Sequence, residues 1–182
     1  PALARPSEGL RYTAGYALTP LSQLGLATAD ALPVTNKIAN GDFATWAPNS
    51  RDQTCDGWVA EPASAGTAAV DSGVLVLSAS ADGSLEFPGE YHYQDLTCQY
   101  PGFVYDLSLE AKKGSAEAEG NVEITYYTKG KAVISREVLP VTGTDWAAVK
   151  RRLTMPDGTQ RLRIGLTSEK GTISYRRVAL TA

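Results

Sequence analysis

The amino-acid sequence predicts an all-β fold, an antiparallel β-sandwich of jelly-roll type, and three observations carry that expectation. From residue 34 onward, short runs of alternating apolar and polar residues recur, the period of a strand with one buried face. Gly, Pro, Asp and Ser punctuate those runs at close intervals, as turns do between many short strands. Beyond the first 33 residues nothing sustains the period of 3.6 that a long helix needs. About ten strands on this spacing make a two-sheet sandwich.

Taken in order, residues 1–33 hold Leu18, Leu21, Leu24 and Leu26, broken by Pro20 and Gly25. Neither strand nor helix period persists there, so the segment reads as an extended arm or linker, with Pro33 at its boundary. The sandwich is expected over 34–182. Its strands are expected at 35–42, 57–62, 67–71, 73–79, 83–87, 90–98, 103–112, 120–128, 131–138, 147–155, 160–167 and 171–181. In 103–112, Phe103, Tyr105, Leu107 and Leu109 share one face, opposite Val104, Asp106, Ser108 and Glu110. In 120–128, Val122, Ile124 and Tyr126 alternate with Glu123, Thr125 and Tyr127. Such alternation implies one buried face and one wet face. Counting from Trp146 places Val149, Arg151 and Leu153 together. Arg151 therefore either pairs with a buried acid or marks a face that opens to solvent.

The totals narrow the function. With 182 residues, 43% of them hydrophobic, the chain suits one domain plus an arm. A formal net charge of −3 argues against a nucleic-acid partner. Basic residues gather late, in Lys150–Arg152, Arg161–Arg163 and Arg176–Arg177, an asymmetry able to draw an anionic ligand to one face. No apolar run approaches the roughly 20 residues that span a bilayer, so no membrane partner is expected. The N-terminus shows no signal-peptide pattern, and a chain opening Pro1-Ala2-Leu3 reads as part of something longer. Cys55 and Cys98 are too few for a zinc site, with His92 the only histidine. They are candidates for a disulfide, with two separate buried thiols as the alternative; a bridge would place the protein outside the reducing cytoplasm. There is no nucleophile elbow, phosphate loop or paired-cysteine motif, so the chain is expected to be non-catalytic and to need no cofactor.

Three segments carry a family resemblance. Asn40-Gly41-Asp42-Phe43 followed by Asp56-Gly57-Trp58 is the first, and Tyr93-Gln94-Asp95-Leu96-Thr97 with Pro101-Gly102 and Tyr105-Asp106-Leu107-Ser108 is the second. The third runs through Thr144-Asp145-Trp146, Thr154-Met155-Pro156, Leu162-Arg163-Ile164-Gly165-Leu166 and Gly171-Thr172-Ile173 to Val178-Ala179-Leu180. In that order, over roughly residues 35–181, they resemble the carbohydrate-binding modules appended to xylanases and other polysaccharide-degrading enzymes. The resemblance implies a galactose-binding-like jelly roll with Trp58 and Trp146 buried and Gln94 satisfying backbone groups inside the sandwich. Many relatives hold a structural calcium through an acid after the first Phe and an Asp pair in the last strand. Here those positions are Ala44 and Arg176-Arg177, so no calcium is expected there, and the arginines are free to pair with Asp42 or Glu110.

Protein modules bind sugars by stacking aromatic rings on pyranose faces, with polar groups taking the hydroxyls. Tyr91 and Tyr93 share one face of their strand, Tyr127 lies opposite the core residue Tyr126, and Arg161 and Arg163 point away from Leu162 and Ile164. Tyr91, Tyr93, Tyr127 and Arg163 are the candidate carbohydrate-binding residues, with Trp46 closing one end. The alternative is that such outward tyrosines only stabilise the sheet.

The function implied is a non-catalytic module binding a polysaccharide or glycan, secreted, periplasmic or on the cell surface. Gly9-Leu10-Arg11-Tyr12 and Ala31-Leu32-Pro33 resemble the closing strand of sialate O-acetylesterase-like hydrolases, implying a preceding catalytic domain. Two alternatives stand beside it. Asn40-Gly41-Asp42-Phe43-Ala44-Thr45-Trp46 is also similar to phage tail-fibre tips that recognise surface glycans, and a ligand-free spacer domain is the other alternative.

Overall fold

The structure, a computed structural model, describes residues 35–45, 57–60, 66–79, 90–97 and 102–182. The arm expected over 1–33, the strand expected over 83–87, Trp46, Cys55 and Cys98 lie outside the described residues. Ten strands run through them: β1 (Val59–Ala60), β2 (Thr67–Asp71), β3 (Val74–Ser78), β4 (Glu90–Thr97), β5 (Val104–Lys113), β6 (Asn121–Tyr127), β7 (Val133–Pro140), β8 (Ala147–Thr154), β9 (Arg161–Ser168) and β10 (Thr172–Thr181). They form two antiparallel five-stranded sheets, ordered β1-β4-β9-β6-β7 and β2-β3-β10-β5-β8. The fold is the jelly-roll sandwich that the alternation predicted. No described residue lies in a helix long and apolar enough to cross a membrane.

One core fills the space between the sheets. The first sheet contributes Val122, Ile124, Tyr126, Leu162, Ile164 and Leu166, and the second Leu75, Leu77, Leu107, Leu153, Tyr175 and Leu180. Burying each such side chain contributes about 1.5–3 kcal/mol, the main term opposing chain entropy. Tyr175 takes its polar end into the core by donating its hydroxyl to the Thr167 carbonyl at 2.7 Å.

The segment expected as a strand at 35–42 is a series of tight turns, with Asn40 at φ 46° and Phe43 at φ 51°. Its hydrogen-bonding groups are used on β10 instead of in a ladder. Asn36 Oδ1 accepts from the Ile38 amide at 3.0 Å and the Leu180 amide at 2.8 Å, while its Nδ2 donates to the Val178 carbonyl at 2.9 Å. The Lys37 amide donates to the Leu180 carbonyl at 2.8 Å, and the Val178 amide to the Gly41 carbonyl at 2.7 Å. Gln94 reaches in from β4: its Oε1 accepts from the Ala39 amide at 3.0 Å and its Nε2 donates to the Ala39 carbonyl at 2.5 Å. The segment is a latch, and Gln94 serves backbone groups as expected.

β10 is not one unbroken alternation. Between Arg176 and Ala179 a bulge shifts its register against β5, with Arg177 at φ 55°. Before the bulge Ile173 and Tyr175 face the core; after it Val178 and Leu180 do. The extra residue reconciles an odd-numbered apolar pair with an even-numbered one. It also lets two successive arginines reach one carboxylate: Arg176 Nε lies 2.5 Å from Glu110 Oε2, and Arg177 Nη1 3.0 Å from Oε1. Of the two acids expected for these arginines, Glu110 is the partner.

Trp146 departs from the expectation of a buried aromatic. Lying just before β8, it is only half-buried, with Arg176 Cζ 4.1 Å and Lys112 Nζ 5.0 Å from its ring centroid. Lys112 pairs in register with Ser174 on the outer face of the second sheet, so the indole packs under cations and not in the core. Arg151 finds the acid that its position required. Its Nε donates to Glu137 Oε2 at 2.8 Å, joining the edge strands β8 and β7 of the two sheets at a partly exposed rim. Burial and then the Glu137 carboxylate push the nearby Tyr126 hydroxyl up to about 12.

The Glu110 cluster predicts a pH effect. The hydrogen bond from Arg176, followed by the charges of Arg176 and Arg177, holds the Glu110 carboxyl below its ordinary 4.5. A folded value below the unfolded one means stability that is present above the unfolded value and lost as pH falls through the folded value. Glu110→Gln is therefore expected to be less stable than the wild type near neutral pH, with the gap closing below pH 4.5. Urea unfolding at about pH 7 and about pH 3 checks this, and a gap independent of pH would contradict it.

Candidate functional site

β4 meets the core through His92, Gln94 and Leu96, which leaves Tyr91, Tyr93 and Asp95 on the outer face of the first sheet. The register carries that face across the sheet. Tyr93 pairs with Gly165, Asp95 with Arg163 and Thr97 with Arg161 on β9. Those three pair in turn with Glu123, Thr125 and Tyr127 on β6. Tyr91, Tyr93, Tyr127 and Arg163 are thus brought together on one face, as the alternation required.

Their contacts are specific. The Tyr91 and Tyr93 rings stack with centroids 5.5 Å apart and planes 29° from parallel. Arg163 Cζ lies 3.5 Å from the Tyr93 ring centroid and 5.5 Å from that of Tyr127, while Arg161 Cζ lies 4.4 Å from the Tyr127 centroid. A planar, weakly hydrated guanidinium is suited to such stacking. Asp95 anchors both cations. Its two oxygens accept from Arg163 Nε at 2.7 Å and Nη2 at 2.9 Å, and Arg161 Nη1 lies 3.3 Å from Oδ2.

The electrostatics follow from partial burial. Burial disfavours the Arg163 charge, but the hydrogen bonds and charge of Asp95 outweigh it and hold the pKa above its ordinary value. Burial first, then the Glu123 carboxylate, push the Tyr91 hydroxyl well above its ordinary value. That hydroxyl stays protonated and able to donate. The Tyr91 ring takes the space that a side chain at residue 165 would fill: a Cβ there would sit 2.5 Å from Tyr91 Cε2 and 2.6 Å from its hydroxyl oxygen. A glycine inside a strand commonly marks such a close approach.

The wet outer face expected for 120–128 is not what β6 shows. Glu123 and Thr125 are buried, because Arg136 of β7 pairs with Glu123 from one side and the β4 and β9 side chains crowd the other. His92, the one histidine, is buried on the core side. Among the described residues, no group of three or more His, Cys, Asp and Glu is placed to hold a metal ion. The arrangement offers flat rings, fixed donors and a carboxylate, a surface suited to stacking and hydrogen bonding.

The sequence matches no protein-family model and no curated protein. Solved structures match it over most of its length. A CBM4 structure is 20% identical with a TM-score of 0.57, covering 79% of this chain and 98% of its own. The CBM22 xylan-binding domain from Paenibacillus barcinonensis is 15% identical with a TM-score of 0.51, covering 70% of this chain and 86% of its own. The fold is that of jelly-roll carbohydrate-binding modules. The enzymatically active domain of bacteriophage CBA120 tailspike protein 4 also contains it, at 15% identity and a TM-score of 0.51, over 80% of this chain and 21% of its own.

Arg161, read as outward beside Arg163, completes the site together with Asp95 and Gly165, which sequence reasoning did not name as candidates. Asp95 was within reach, since it follows Tyr91 and Tyr93 at the same strand period. Gly165 carried the signal of a glycine within a strand, but only the register shows that a tyrosine fills its space.

Proposed function

We propose that this chain is a non-catalytic module that binds a polysaccharide or glycan on the outer face of the sheet formed by β1, β4, β9, β6 and β7. The observation that carries the reading is the stacked Tyr91–Tyr93 pair, extended to Tyr127 by two guanidiniums that Asp95 anchors. Stacked rings supply apolar faces for pyranose rings, and the surrounding donors and acceptors meet hydroxyls. The jelly-roll likeness to carbohydrate-binding modules supports it. In this reading the module is secreted, periplasmic or displayed at the cell surface. A preceding catalytic domain acting on the same glycan fits the arm.

A glycan array or affinity electrophoresis with the wild type and Tyr91→Ala/Tyr93→Ala tests the reading. The wild type is expected to bind, and the double variant to lose at least about tenfold, since each stacked ring contributes roughly 0.5–1.5 kcal/mol beyond its area. Retained binding in the variant would remove this face. No binding to any glycan would leave the spacer reading.

The tailspike likeness favours a second reading, a receptor-binding domain recognising surface glycans. A stable trimer in solution would support it over an appended module.

A further inference from the structure

We propose that the Arg161–Arg163 end of this face takes the carboxylate of an acidic sugar, so that the protein prefers polyuronate chains to neutral ones. The proposal rests on the carbohydrate-binding reading above and names the ligand class for the same site. Two guanidiniums there share one carboxylate. Asp95 gives Arg163 a two-pronged contact at 2.7 and 2.9 Å, leaving Arg161 a longer contact of 3.3 Å. Arg161 Nε is buried and has no hydrogen-bond partner among the described residues. The two arginine side chains are only 19% and 18% exposed, so one positive charge is both poorly solvated and uncompensated. An incoming carboxylate supplies the missing charge and matches the guanidinium fork; a sugar hydroxyl supplies no charge.

The surroundings act in the same direction. The turn joining β6 to β7, closed by the Thr128 amide on the Ala132 carbonyl at 2.9 Å, places the exposed Lys129 and Lys131 just beyond Tyr127. The turn joining β8 to β9 carries Asp157 to this end, where the Gln160 amide donates to the Tyr127 carbonyl at 2.9 Å. Arg161, Arg163, Lys129 and Lys131 therefore outnumber Asp95 and Asp157 locally, in a chain whose formal net charge is −3. Whole-chain charge would repel a polyanion, so any attraction must be local, as at this end of the face.

Affinity electrophoresis of the 182-residue chain in gels containing polygalacturonate, dextran sulfate, xylan or a neutral β-glucan tests the proposal. Polygalacturonate is expected to retard the protein more than either neutral polysaccharide does, with the effect weakened by added salt. Arg161→Gln should lower that affinity about fivefold or more. Lys150→Gln, the same loss of charge on the other sheet, should leave it within about twofold. Should Arg161→Gln fail to fold, Lys129→Gln/Lys131→Gln reads the same end of the face, with a loss of about threefold expected. Retention by neutral polysaccharides alone, or equal losses at Lys150 and at the site, would overturn the proposal. Retention by dextran sulfate but not polygalacturonate would overturn the carboxylate assignment. Retention by none of the four would overturn the carbohydrate-binding reading as well.

Discussion

Trp58→Ala is expected to destabilise the domain by about 4 kcal/mol, a large share of the roughly 5–15 kcal/mol that holds a typical domain together. Trp58 stands immediately before β1 and is wholly buried, its ring centroid 5.5 Å from that of Phe43. Its Nε1 donates to the Asn40 carbonyl at 3.3 Å. Truncation removes the apolar area, leaves a cavity and strips a hydrogen bond from the latch in one step. Its neighbour Gly57, at φ 92°, lies so close to the latch that a Cβ there would be 2.9 Å from that of Ala39. Urea unfolding followed by circular dichroism measures the loss, with Trp58→Phe expected to cost less than half as much. An alanine variant within about 1 kcal/mol of the wild type would show that the ring does not tie the latch to the sandwich.

Trp58 was legible in the sequence, and so were the strands that alternate strictly, because period two survives wherever one sheet face is buried. Tyr126 and Tyr127 fell to opposite faces as read, and the outward set Tyr91, Tyr93 and Arg163 came together for the same reason. Three things were not legible, each because it depends on partners distant in the chain. The latch was expected as a strand, yet left-handed turns at Asn40 and Phe43 break it, and its polar groups bond to β10 and to Gln94 of β4 instead. The β10 bulge is an insertion relative to β5, visible only once the two are paired. Trp146 reads as a core aromatic until Arg176 and Lys112, brought beside it by β10 and β5, cover its ring from outside. The candidate site divides the same way. Alternation tells which residues face outward, but the sharing of Asp95 between two arginines is a property of adjacent strands.

Gly41→Ala is expected to cost about 3 kcal/mol, at the upper end of overpacking, while leaving the proposed glycan affinity per folded molecule unchanged. A Cβ at Gly41 would lie 1.9 Å from the Val178 carbonyl oxygen, a backbone atom that no rotamer change can move. The same stretch of backbone supplies the Gly41 carbonyl that the Val178 amide bonds at 2.7 Å, so relief of the clash breaks the latch. Gly41 belongs to the Asn40–Phe43 segment on which the family resemblance partly rests. Its neighbours serve the latch as well, since Asn40 receives the Trp58 indole and Phe43 packs on that ring. These residues hold the entering chain against β10, away from the outer face of β4, β9 and β6 where the tyrosines lie. The motif therefore encodes architecture, which explains why it announces the fold so well and the ligand so poorly. Thermal unfolding combined with glycan titration well below the transition separates the two effects. A Gly41→Ala protein that keeps its stability but loses its glycan would move the binding site to the latch.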